Sequence, residues 1–113
     1  MVNTDAESFV NGDREVEEIV RKLIKEGRGS LIVILAFLCK AGKATLSDIQ
    51  RALAEGKYRA QYNWTLSNLN ELKELGLVYE EQIQIKGKLK VRIFDLTEKG
   101  KKVSERICQI LNI

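Results

Sequence analysis

Apolar residues at spacings of three and four near the start of the chain predict an amphipathic helix. This stripe consists of Val16, Ile19, Val20, Leu23 and Ile24. Asp13 provides an N-cap for a helix that begins at Arg14, and the glycines of Gly27-Arg28-Gly29 end it. Residues 1–13 precede this cap without a clear period, and we expect them to form a flexible N-terminus.

The next segment, Leu31 to Cys39, is apolar at every position. Periodicity alone does not distinguish a helix from a strand here, but its length and the exit signal Lys40-Ala41-Gly42 favour a helix. A helix without a polar face must be covered on all sides. We expect the cover to come from the Val16–Ile24 stripe or from a second subunit.

Two further helices are predicted after it. The first is a short helix from Ser47 to Ala54, with Ser47 as N-cap and Gln50 completing a capping box. A turn containing Gly56 leads to a third helix, Ala60 to Leu75, which ends at Gly76. The apolar positions expected on its buried side are Tyr62, Leu66, Leu69, Leu72 and Leu75.

Alternating apolar and polar residues predict two strands, Leu77 to Ile85 and Leu89 to Leu96, joined by the turn Lys86-Gly87-Lys88. The alternation changes phase at Ile93-Phe94, which suggests a bulge or a twist there. Thr97 then caps a last helix. Its apolar stripe contains Val103, Ile107, Ile110 and Leu111.

This order of elements predicts a mainly α fold with a small β-hairpin: a winged helix-turn-helix with additional N- and C-terminal helices. The 113 residues suit a single compact unit. We divide it into an N-terminal helix at 14–29, the winged helix-turn-helix at 30–97 and a C-terminal helix at 98–113.

Charge is distributed unevenly, although the net charge is only +3. Lys86, Lys88, Lys90 and Arg92 place four cations in seven residues with no acid among them. Such a local cluster of positive charge predicts a surface that binds a phosphate backbone, although the net charge of the whole chain is small. The longest apolar run is too short to span a membrane and the first residues lack a signal-peptide pattern, so we expect a cytoplasmic location without membrane contact.

The residues that usually carry catalysis are scarce. Histidine is absent, and no nucleophile motif, phosphate loop or metal-ligand cluster is present. We therefore predict a protein that is not an enzyme and that uses no cofactor and no metal. Cys39 and Cys108 lie in apolar helical patterns and are interpreted as buried free thiols, with a Cys39–Cys108 disulfide as the alternative.

Two short motifs resemble a known family. Leu75-Gly76-Leu77-Val78, followed by a basic hairpin and then Leu96-Thr97-Glu98-Lys99-Gly100, is similar to the corresponding part of winged-helix transcriptional regulators of the MarR and PadR type. The resemblance extends from about Ser30 to the C-terminus. It implies that the third helix enters the major groove, that the wing contacts an adjacent groove or the backbone, and that flanking helices form a homodimer.

The function expected from these features is binding of double-stranded DNA as a transcriptional regulator. Asn and Gln can pair with adenine and Arg with guanine, whereas Lys and helix N-termini bind phosphate. The predicted DNA-binding residues are Ser47, Lys57, Arg59, Gln61, Asn63, Trp64, Ser67, Lys86, Lys88, Lys90 and Arg92.

A homodimer interface is expected on the two terminal helices. The predicted interface residues are Val16, Ile19, Val20, Leu23, Ile24, Val103, Ile107, Ile110 and Leu111. A small-molecule effector site between the dimer helices stays open as a further partner site, and the sequence does not indicate its ligand. The alternative function is a winged-helix protein-interaction module in a transcription or replication complex, which is favoured by Trp64 and by the absence of Arg within the third helix.

Overall fold

The computed structural model describes the backbone of residues 4–87 and 89–113 and the side chains of residues 14–87 and 89–113. The predicted fold class is confirmed, because helices flank and support a small antiparallel sheet. The elements in chain order are α1 (Thr4–Lys25), α2 (Gly29–Ala41), β1 (Ala44–Thr45), α3 (Leu46–Glu55), α4 (Tyr62–Glu74), β2 (Val78–Ile85), β3 (Leu89–Leu96) and α5 (Glu98–Leu111). None of the helices described is both long enough and apolar enough to cross a bilayer.

Helix α2 is the centre of the core. Leu31, Ile34, Leu35 and Leu38 are fully or almost fully buried. Helices α1, α3, α4 and α5 all contact α2, so the cover that its sequence requires comes from within the chain. The apolar stripe of α1 supplies part of that cover, which was the first of the two predicted sources.

Helix α1 begins at Thr4, ten residues before the predicted start at Arg14. Asp13 therefore lies inside the helix and does not cap it. The prediction depended on apolar periodicity and on a capping residue. Residues 4–13 show no clear apolar period in the sequence, so they gave no helix signal.

The start of α3 also differs from the predicted one. The N-cap is Thr45, not Ser47: the Thr45 hydroxyl accepts a hydrogen bond from the Asp48 amide (3.1 Å), and the Asp48 carboxylate accepts one from the Thr45 amide (3.1 Å). This is a capping box with an Asp at its third position, so Gln50 does not complete it. Leu46 and Ile49 are buried. Starting the helix at Leu46 places both side chains on its core side.

The sheet has the strand order β1-β3-β2, and all pairs are antiparallel. Strand β1 is only two residues long, and the sequence pattern did not predict it. The predicted bulge at Ile93-Phe94 is wrong, because the register of β2 and β3 is unbroken from Val78↔Leu96 to Ile85↔Leu89. The change of phase arises because both faces of the strand carry apolar side chains at this point. Phe94 is buried on the inner face of the hairpin, and Ile93 is half-buried on the opposite face.

The Leu-Thr-x-x-Gly motif joins α5 to the end of α4. Thr97 caps α5 by accepting from the Gly100 amide (3.0 Å), and its hydroxyl donates to the Gly76 carbonyl (2.6 Å). The Thr97 amide donates to the Leu77 carbonyl (3.0 Å). A Cβ on Gly100 would lie 1.9 Å from that carbonyl oxygen, so only glycine permits this approach. The motif therefore holds the end of α4 directly against the start of α5.

The two cysteines are free in this structure. Cys39 is exposed at the end of α2 and Cys108 is half-buried on α5. The prediction of a buried thiol is therefore wrong for Cys39, because α2 emerges from the core in its last turn. Burial and the neighbouring Cys39 thiol raise the pKa of Cys108, so its reactive thiolate form is disfavoured.

Candidate nucleic-acid interface

A cleft of about 230 Å³ brings together the start of α3, the start of α4 and strand β3. Three of the predicted DNA-binding residues, Ser47, Lys90 and Arg92, line this cleft. Its other lining residues are Thr45, Leu46, Tyr62 and Val91. Two helix N-termini and a basic strand thus share one surface, and amide groups at helix N-termini favour anions.

Helix α4 presents its polar residues to solvent beside this cleft. Asn63 and Ser67 are exposed one turn apart, and Gln61 is the exposed N-cap residue. Arg59 is exposed just before the helix, in a segment that is held by a hydrogen bond from the Gln50 side-chain amide to the Ala60 carbonyl (3.0 Å). The amide, hydroxyl and guanidinium groups needed to contact base edges therefore lie at the front of one helix.

Tyr62 is a residue of this surface that sequence analysis missed. It was assigned to the buried side of the third helix, but 52% of it is exposed, and it lies in the cleft. Thr65 and Asn68 are buried on the inner side of α4, whereas Leu66 is half-buried and packs against the core cluster, as expected. The available signal was that Thr65, Leu69 and Leu72 also form a stripe at spacings of three and four, and this stripe leaves Tyr62 on the outside.

Trp64 lies on the side of α4 that packs towards the core. It is half-buried, contacts the core cluster and stacks on Tyr58 with ring centroids 5.8 Å apart. This stacking joins α4 to the α3–α4 turn, where Lys57 is exposed and has a positive φ of 69°. Much of the indole surface is therefore already used inside the chain.

The back of α4 is fixed to the region between α1 and α2. Ser30 donates to the side-chain oxygen of Asn68 (2.7 Å), and the Asn68 amide donates to the Trp64 carbonyl (2.8 Å). Arg28 forms an ion pair with Glu71 (2.5 Å). This hydrogen-bonded pair raises the pKa of Arg28 and lowers that of Glu71. These contacts hold one face of α4 and leave the face with Asn63 and Ser67 accessible.

The cations of the hairpin have different surroundings. Lys86 and Lys90 are exposed, and Lys86 adopts a positive φ of 27° in the turn. Lys88 lies outside the described residues. Arg92 is half-buried and is already paired with Glu80, so its charge is largely neutralised within the chain. The hairpin therefore presents Lys86 and Lys90 to a ligand, whereas Arg92 lines the cleft with its charge already paired with Glu80.

Glu80 connects both strands of the hairpin to α4. Its carboxylate accepts from Arg92 on β3 at 2.5 and 3.0 Å and from Lys73 on α4 at 2.9 Å. Arg92 also donates to the Tyr62 hydroxyl at the front of α4 (3.5 Å). The Glu80 side chain is only 9% exposed, so the two cations replace the water that its charge requires. Their hydrogen bonds, that of Arg92 above all, lower the pKa of Glu80 to about 2.

A cavity of about 290 Å³ lies between α1 and the second half of α4. Its walls include Ile19, Leu23 and Leu75, together with the Arg28–Glu71 pair. Glu18, Lys22 and Glu26 complete its lining, so the cavity combines apolar walls with charges of both signs.

The predicted dimer residues fall into two groups. Five of them are buried inside the chain: Val16, Val20, Leu23, Val103 and Ile107. Ile24, Ile110 and Leu111 are exposed, and Ile19 is half-buried. A groove between α1 and α5 has Ile24, Ile110 and the edge of Val20 on its walls. Within the groove, the apolar surface available to a partner comes mainly from Ile24 and Ile110.

The lowered pKa of Glu80 predicts a loss of stability in acid. The Glu80 carboxylate contributes stability that is fully present above its ordinary pKa of 4.5 and is lost as the pH falls towards 2. We expect this contribution to be on the order of 2–3 kcal/mol. Chemical denaturation at several pH values should show Glu80→Gln less stable than the wild type at pH 7, with the difference disappearing towards pH 2. A difference that does not change with pH would contradict the ion-pair origin. Glu81→Gln, which alters the exposed neighbouring carboxylate, is the matched control.

No protein-family model matches the sequence, and a search of curated proteins finds no significant relative. Several solved structures have the same fold. A transcriptional regulator homologue from Pyrococcus horikoshii OT3 is 21% identical, with 87% of this chain and 91% of that chain covered and a TM-score of 0.66. AbfR, in an overoxidised form bound to DNA, is 24% identical and has a TM-score of 0.61. The match covers 93% of this chain and 74% of AbfR.

Bacillus subtilis PadR in complex with operator DNA is 22% identical and has a TM-score of 0.56. The match covers 67% of this chain but only 45% of PadR. The similar structures are transcriptional regulators of the MarR and PadR type, as the sequence resemblance suggested. The chain therefore has the winged-helix fold that these regulators share.

Proposed function

We propose that the chain is a homodimeric transcriptional regulator that binds double-stranded DNA. Helix α4 (Tyr62–Glu74) enters the major groove, and the basic hairpin contacts the backbone or the adjacent minor groove. The observation that carries this proposal is the cleft in which Ser47, Tyr62 and Lys90 meet beside the exposed Asn63. The structures of PadR with operator DNA and of AbfR bound to DNA support it through their shared fold.

Each part of the surface has its own role in this proposal. Lys86 and Lys90 neutralise phosphates, and the N-termini of α3 and α4 add amide donors. Arg59, Gln61, Asn63 and Ser67 contact base edges from the front of α4. Arg92 acts as a positioning residue, since its guanidinium is held by Glu80.

The alternative of a protein-interaction module depended on Trp64 and on the absence of Arg within the third helix. Because Trp64 stacks on Tyr58 and packs against the core, it offers little free surface to a partner protein. The exposed lysines and polar groups that remain on this face suit DNA better.

The homodimer is proposed to form along the groove between α1 and α5. Ile24 and Ile110 expose apolar surface there, Leu111 is exposed next to Ile110 in the chain, and Arg21, Lys25 and Glu17 lie on the rim of the groove. An apolar centre with a charged rim of both signs suits an interface in which the same face of two copies meets.

Phosphate binding by the hairpin predicts strong salt dependence. Fluorescence anisotropy with a mixed-sequence duplex of about 30 base pairs should show affinity falling steeply as salt rises. Lys90→Gln should weaken binding to all sequences alike and reduce the slope of log K against log salt by about one. Lys102→Gln, at an exposed position on α5, is the control and should bind as the wild type does. No binding by the wild type even at low salt would refute the proposed function.

Base contact by Asn63 predicts a different effect. Asn63→Ala should reduce the preference for a duplex selected from a random library over random DNA by about 1–3 kcal/mol, while the salt slope remains unchanged. Asn70→Ala is the matched control, since Asn70 is exposed on the same side of α4 two turns further on. Equal loss of affinity for selected and random DNA would show that Asn63 does not contact bases.

The dimer proposal predicts a sedimentation result. The wild type should sediment as a dimer at micromolar concentration, and Ile110→Glu should be a monomer, because the variant replaces apolar surface at the centre of the interface with a charge that must lose its water. Ile83→Glu is the control: Ile83 on the hairpin is exposed to nearly the same extent (44% against 45%). Circular dichroism should show unchanged helix content for both variants. A monomeric wild type would refute the dimer.

A further inference from the structure

Near the turn, the outer face of the hairpin is apolar and largely exposed. Ile83 pairs with Val91 and Ile85 with Leu89 across the two strands, so these four side chains lie on one face. Leu89 is 63% exposed, and Ile83 and Ile85 are exposed as well. The strand alternation predicted that these four positions share one face. In the structure that face is not part of the core.

The core of this protein does not use that face. The inner face of the hairpin supplies Val78, Phe94 and Leu96 to the core, and towards the tip it carries Gln84 and Lys90. The apolar ladder therefore continues out to the turn on the side away from the core. Clustered exposed apolar side chains of this kind usually indicate a contact surface.

The charges around the ladder restrict what contacts it. No acidic residue occurs between Gln82 and Phe94, and Lys86 in the turn lies beside the tip pair Ile85–Leu89. Lys90 lies next to this pair on the inner face, and the nearest acid on the outer face is Glu81, two residues before Ile83. A partner must therefore combine apolar surface with negative charge. The minor groove of DNA does so, because its deoxyribose walls lie between two rows of phosphates. Minor-groove proteins do place Ile and Leu side chains in this groove, in their case as wedges between base steps.

The position of the hairpin agrees with this partner. Lys90 lines the same cleft as Ser47 and Tyr62, and Glu80 fixes the hairpin to α4. If α4 lies in a major groove, the adjacent groove is the minor groove, which is about 6 Å wide. A hairpin tip that enters so narrow a groove meets a wall on each of its faces.

We propose that Ile85 and Leu89 contact the sugar walls of the minor groove and supply the part of the DNA affinity that does not depend on salt. This inference depends on the proposed function and extends it. The lysines attract the phosphates, and the apolar pair makes close contact once the tip is in the groove.

The experiment compares threonine variants, because threonine suits an exposed strand and should leave the fold intact. Leu89→Thr and Ile85→Thr should each bind the mixed-sequence duplex about tenfold more weakly, with the slope of log K against log salt unchanged. Ile83→Thr is the matched control. It makes the same change on the same face about 7 Å further from the turn, and it should bind within about twofold of the wild type.

Three outcomes would overturn the inference. If the wild type binds DNA and Leu89→Thr binds equally well, the apolar pair makes no groove contact, while the proposed function stands. If Leu89→Thr lowers the sedimenting mass and leaves DNA affinity unchanged, the ladder docks a second copy. If vesicles containing phosphatidylglycerol bind the wild type but not Leu89→Thr, and DNA affinity is again unchanged, the ladder serves a lipid surface. A wild type that binds no DNA would instead refute the proposed function itself.

Discussion

The architecture depends on the burial of one helix that has no polar face. Helix α2 has exposed residues only at its end, at Cys39, Lys40 and Ala41, and four other helices contact the rest of it. Burial of each Leu or Ile side chain contributes roughly 1.5–3 kcal/mol, and α2 provides several of them. Helix α1 completes this cover, and ion pairs of Glu15 with Lys99 and of Glu17 with Arg106 join it to α5. The orientation of α4, and with it the candidate interface, follows from how α4 packs on this central helix.

Much of this fold could be predicted from the sequence. The all-apolar segment at α2, the Thr97 cap and the strand alternation of the hairpin have strong local signals, and their elements form close to the predicted positions. The sequence pattern did not predict an element correctly where tertiary contacts decide between local alternatives. Thr45 and Ser47 are both capping residues, and only the burial of Leu46 and Ile49 decides between them. Strand β1 contains two residues, Ala44 and Thr45, and pairs with residues some 50 positions further along the chain, so no local pattern predicts it.

The candidate interface was predictable in its residue types but not in its pairing. Four cations in seven residues look equivalent in sequence, yet Arg92 forms an ion pair with Glu80 while Lys86 and Lys90 are exposed. Glu80 lies six positions before the first of them, and only the hairpin register brings it opposite Phe94, next to Arg92. Periodicity also allowed two phases for α4. The observed phase buries Asn68 because Ser30 and the Trp64 carbonyl satisfy its polar groups, and a sequence pattern does not contain that information.

The Thr97 junction has a mechanical consequence. Because Thr97 holds the Gly76 carbonyl, and α5 lies against Leu77 with no room for a side chain at Gly100, α5 and the end of α4 have no hinge between them. We therefore expect α5 and the end of α4 to move together when either is displaced. In a dimer held through α5, the spacing between the two α4 helices is set by the angle at which the α5 helices cross.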